Sequence, residues 1–117
     1  MFNISLNPSS WTPDGLSEPT FHYLPATAGS ATGALENSEG EDGKFSSSAY
    51  SFQLIARCVR DVEGLSIDGT PVEWDIMDFP ARIAMLRRLP PMWHQHLTVK
   101  MNEDAELSQE EERETSE

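Results

Sequence analysis

His94 and His96, the lone Cys58, and the carboxylate pair Asp75 and Asp78 come nearest to a reactive or metal-binding pattern in this 117-residue chain. On a strand, the two histidines could share a metal. On a helix, at about 100° per residue, they stand roughly 200° apart. No third ligand follows at a recognisable zinc spacing. Both are therefore read as helix-surface residues. His22 sits alone in a proline-flanked extended run and reads as a surface or packing residue. Cys58 falls on an apolar helical face, where a thiol is an inert packing group. As the single cysteine it excludes an internal disulfide and a cysteine-based zinc site. Asp75 and Asp78 lie at the start of a helical run, where either can cap it, and are more simply caps than a catalytic pair. Asp68-Gly69 lacks the spaced oxygen ligands of a calcium loop. The chain has no nucleophile elbow, P-loop or dinucleotide fingerprint. The expectation is a non-enzymatic chain with no catalytic residue, no cofactor and no metal.

The charge balance narrows the partners. The formal net charge is −12, which opposes binding by phosphate neutralisation or by a polybasic membrane patch. No nucleic-acid or membrane partner is expected. The acidity is uneven. Residues 1–49 carry six acids against Lys44, residues 50–102 balance six acids with six bases, and residues 103–117 carry eight acids against Arg113. This divides the chain into a polar, largely irregular segment over 1–47, a core domain over 48–102 and a flexible acidic tail over 103–117. Dense like charge with few apolar residues cannot offset the entropy of ordering. The tail serves either solubility or a basic partner. Met1 to Leu6 has no basic residue and leads into no apolar run, so no signal peptide is expected.

The elements that would hold these residues follow from periodicity. In the first segment Thr20 to Leu24 is the one extended candidate, ended by Pro25. Ala26 to Leu35 is a weak helix carrying Gly29 and Gly33, and Asn37 to Ser48 is a loop. Tyr50, Leu54, Ile55, Cys58, Val59, Val62 and Leu65 recur at three- and four-residue steps, which predicts one helix from about Ser48 to Gly64. Leu65 to Trp74, with Asp68-Gly69 at its centre, predicts a β-hairpin. A second helix is predicted over Ile76–Leu89, and a third from Pro91 to about Met101. The predicted fold class is mainly α: about three helices with one short β-hairpin, flanked by a polar N-terminal segment and a disordered acidic C-terminal tail. So small a core is marginal alone and invites a partner or self-association as a homo-oligomer. Met77, Met85, Met92 and Met101 gather with Trp93 in the last two helices. They suit either an adaptable partner surface or gap-filling in the core.

The run Leu54-Ile55-Ala56-Arg57-Cys58-Val59-Arg60-Asp61-Val62-Glu63-Gly64-Leu65, followed by Asp68-Gly69-Thr70-Pro71-Val72 and a helix, resembles the tail assembly chaperones of tailed bacteriophages. The resemblance covers about Tyr50 to Met101. It implies a chain that binds the tape-measure protein, or another tail or baseplate protein, in the host cell cytoplasm and keeps it soluble during tail assembly. It implies partner contacts on apolar helix faces, at Phe79, Ile83, Leu86, Met92, Trp93 and Leu97. Two other readings stand beside it. One is an acidic nucleic-acid mimic that inhibits a host DNA-binding enzyme; the other is a minor structural component of the tail or baseplate.

Overall fold

The computed structural model describes residues 6–116, with side chains as far as residue 105. Its centre is a helix, Ser47–Cys58, here α2. Ser46 caps it, its side chain accepting from the Ala49 amide at 3.2 Å, which satisfies one of the orphan donors of the first turn. Leu54, Ile55, Ala56 and Cys58 are all buried, because neighbours pack on several sides of this helix.

One of those neighbours is a sheet. Strands β1 (Ser9–Trp11), β2 (Thr20–Tyr23) and β3 (Val59–Glu63) form an antiparallel sheet in the order β1-β2-β3. The registers place Trp11 opposite Phe21 and Phe21 opposite Val62. Between His22 and Tyr23 the β2–β3 register shifts, so Asp61 faces His22 but Val59 faces Tyr23. Arg60 is the extra residue of this bulge. Because of it, Val59 and Val62 both point into the core although they lie three apart; regular alternation would send them to opposite faces.

Here the expected fold class is overturned. The protein is α/β rather than mainly α: among the described residues there are four α-helices and five strands in two antiparallel sheets. The first predicted helix does not reach Gly64. It ends at Cys58 and the chain continues directly as β3. The spacing of Val59 and Val62 imitates a helical face, but the β2 edge gives their backbone partners, and β-branched residues suit a pleated surface. The polar N-terminal flank is also structural. It supplies β1, β2 and α1 (Ala28–Glu36) and contributes Phe21, Tyr23 and Ala34 to the buried core. Glycine makes the α1–α2 approach close: a Cβ on Gly33 would meet the Arg57 guanidinium Nε at 3.2 Å. Arg57 Nη2 donates to the Gly33 carbonyl at 3.2 Å.

The predicted hairpin is present as β4 (Ser66–Ile67) and β5 (Thr70–Pro71). Asp68 and Gly69 form its turn with φ of 51° and 80°, both left-handed as a type I′ turn needs. A 3-10 turn over Trp74–Ile76 precedes α3, which spans Phe79–Leu86 and so is shorter than the predicted Ile76–Leu89. Asp78 caps α3, accepting from Ala81 N at 2.9 Å. The last helix, α4, starts at Pro91 as predicted but runs on to Ser116. The acidic end is thus helix rather than disordered tail. Glu, Leu and Gln are good helix formers, and Tyr23 donates a hydrogen bond to Asp104 where α4 passes the sheet.

Candidate functional site

The residues nearest to a reactive pattern are scattered over the fold. Cys58 is buried, and burial pushes its thiol pKa up. This opposes thiolate formation. His22 lies on the outer face of the sheet, Nε2 3.2 Å from Glu63 Oε1. His94 packs its ring against Phe52 at 4.7 Å between α4 and α2. Its Nδ1 is buried without a hydrogen-bond partner, and burial lowers its pKa. His96 is exposed on the same helix. Asp78 is the α3 cap, while Asp75 is exposed in the 3-10 turn. Among the described residues no three His, Cys, Asp or Glu side chains converge on a metal position. No helix of the described residues is long and apolar enough to cross a membrane.

The expected partner contacts do not form one face. Leu86 and Leu97 are each 2 % exposed and belong to the core. Trp93 is half-buried in an aromatic cluster, its ring edge-on to Trp11 at 6.4 Å and to Phe21 at 6.5 Å. Phe79 lies under the Arg57 guanidinium at 4.9 Å, and Ile83 is half-buried. Of the six, only Met92 is exposed. These apolar stripes of α3 and α4 turn inward because α2 and the sheet stand against them.

The opposite side of α3 borders a different surface. Between it and the β4–β5 hairpin lies an open apolar groove of about 430 Å³. Ile67, Val72, Ile76, Met77, Ala84 and Met85 are among its lining residues. Ile76 is 74 % exposed, an unusual position for a large aliphatic side chain. Several interactions hold the walls in place. The Val72 amide donates to the Leu65 carbonyl at 2.8 Å, closing the hairpin base. Arg88, near the C-terminal end of α3, forms an ion pair with Asp68 at the hairpin turn. Beneath the 3-10 turn, Trp74 is fully buried, and its Nε1 donates to the Val59 carbonyl at 3.1 Å. Arg82 stacks on the indole at 4.6 Å and donates to the Trp74 carbonyl from Nε at 3.2 Å and Nη2 at 2.8 Å.

No family model, curated protein or solved structure matches the chain. A larger cavity of about 580 Å³, lined by Glu39, Glu41, Ser46, Phe52 and Arg87, is more polar and holds no convergent constellation. The α3–hairpin groove combines volume with an apolar lining, which is the profile of a recognition site. Its sequence signals were modest: Ala81 and Ala84, small residues on one side of α3, and the apolar pair Ile76-Met77, separated from Trp74 by Asp75.

Proposed function

We propose that this chain is a non-catalytic protein-binding module that holds an apolar segment of a partner in the α3–hairpin groove. The observation that carries this reading is Ile76, exposed at the rim of an apolar groove next to the Trp74–Arg82 anchor of the 3-10 turn. Met77, half-buried at the groove, supplies an adaptable surface for a partner side chain. The resemblance to phage tail assembly chaperones supplies the client, a tape-measure protein kept soluble in the host cytoplasm. The contacts then move from Phe79, Leu86 and Leu97 to the groove side of α3.

The test is co-expression of the tagged full chain with a phage tape-measure protein as the candidate client, followed by capture at high salt. Ala84→Arg places a charge in the groove at an exposed position and should reduce capture by about ten-fold or more. Met92→Arg, exposed on α4 outside the groove, should leave it unchanged. Equal capture by both variants, or loss with Met92→Arg alone, would overturn the reading.

One observation favours a second reading, the acidic mimic of nucleic acid. The α4 backbone stays helical to Ser116, through the run that begins at Glu103 and Asp104. A mimic needs charge on a regular frame. Its signature would be inhibition of a DNA-binding enzyme that weakens steeply with ionic strength, whereas apolar docking in the groove would barely change.

A further inference from the structure

We infer that the occupant of the α3–hairpin groove is an amphipathic segment whose apolar side is flanked by lysine or arginine, held by the acids of the 3-10 turn. This rests on the groove being the binding site. Apolar lining alone would accept any greasy segment. The two ends of the groove are not alike, and the difference selects a partner.

At the α3 C-terminal end, Arg88 is neutralised by Asp68. At the other end, Glu73, Asp75 and Asp78 interleave in sequence with the groove residues Ile76 and Met77, and Glu73 itself lines the groove. All three are exposed, and among the described residues none is paired with a cation. Arg82, the nearest arginine in sequence, has its guanidinium on the Trp74 ring and carbonyl instead. Asp78 also accepts from Ala81 N as the helix cap, so Glu73 and Asp75 are the free charges. The 3-10 turn end therefore presents uncompensated negative charge beside apolar surface, which attracts a basic flank and repels an acidic one.

The shape agrees. Helix α3 has eight residues, about 12 Å of wall at 1.5 Å per residue, enough to seat about two turns of a bound helix. Ala81 and Ala84 lower that wall so that a second backbone can approach, and a helix laid in an apolar groove is a common way to bind such a segment.

The experiment uses the full chain, isotopically labelled, and two synthetic helical peptides that share one leucine stripe. One carries a pair of lysines at its end, the other a pair of glutamates. At low salt the lysine peptide should bind about five-fold tighter, the scale of one or two exposed charge pairs. That preference should vanish at high salt and in the Glu73→Gln, Asp75→Asn double variant, while the apolar affinity remains. Equal affinities, or a preference for the glutamate peptide, would overturn the charge inference and leave the groove reading standing. If neither peptide shifts the resonances of Ile76, Met77 and Ala84, both fall together.

Discussion

The indole Nε1 of Trp74 donates to the carbonyl oxygen of Val59 at 3.1 Å, with the Trp74 side chain fully buried. This bond ties the 3-10 turn beside the groove to the first residue of β3, where helix α2 turns into strand. Trp74→Phe keeps an aromatic ring but leaves the Val59 carbonyl unpaired in the interior and opens space beside it. The expected loss is about 2–4 kcal/mol of stability, read by urea denaturation. A change below about 0.5 kcal/mol would show that the bond is not a structural anchor.

Gly64, where β3 ends, has φ of 74°, and a Cβ there would overlap the Glu18 side chain. Gly64→Ala must therefore bear both the left-handed conformation and a collision with the β1–β2 connection. It should cost more than about 1 kcal/mol. Gly69→Ala has a similar φ of 80° but open space around it, so it isolates the backbone cost. Comparing the two midpoints in denaturant separates strain from collision; identical losses would remove the collision argument.

His94 gives an acid-side prediction. Its folded pKa is depressed by burial of the imidazole against Phe52, with Nδ1 unpartnered. The unfolded chain therefore takes up the proton first, near the ordinary value of 6.5. Stability from this site is complete above that value and falls as pH drops through the folded pKa. Denaturation midpoints of the native chain and of His94→Gln, compared from pH 7.5 to 5, should show the steeper fall in the native chain. Parallel curves would exclude the site as the cause.

Tyr23 and Asp104 give the complementary windows. Burial and the hydrogen bond to Asp104 push the Tyr23 phenol well above its usual range. Burial alone would raise the Asp104 carboxyl, but hydrogen bonds from Tyr23, Lys100 and Ser9 hold it below the usual carboxylate range. The raised phenol contributes stability that is present below about pH 10 and lost as pH climbs above it. The lowered carboxyl contributes stability that is present above about pH 4 and lost on acidification through its folded pKa. Tyr23→Phe should flatten the alkaline loss, and Asp104→Asn the acid loss, in thermal scans across pH. Tyr23→Phe should also release the start of the acidic part of α4, visible as faster amide exchange after Lys100.

Local chemistry settled several elements before any tertiary contact is considered. Asp68-Gly69 dictates the tight hairpin because both positions accept positive φ. Pro91 marks the start of α4, and the apolar spacing around Cys58 foretells its burial; for α3 the sequence offered Asp75 or Asp78 as cap, and Asp78 is the one used. These signals lie within a few residues of the structure they specify.

The rest depended on partners far away in the chain. Whether Val59 to Val62 is helix or strand turns on β2, formed by residues 20–23, and on a bulge at Arg60 that returns both valines to one face. No local pattern records that pairing, since three-residue spacing suits a helix and a bulged strand alike. The same applies to α3 and α4. Their strongest apolar stripes, read as partner contacts, became core once Trp11, Phe21 and Tyr23 from the polar N-terminal segment packed nearby. The groove then fell to the weaker side of α3, where Ala81, Ala84 and the exposed Ile76 make little periodic signal. An exposed apolar groove of this kind is what remains after the core has taken the best apolar faces, so its position follows from the packed whole rather than from any one segment.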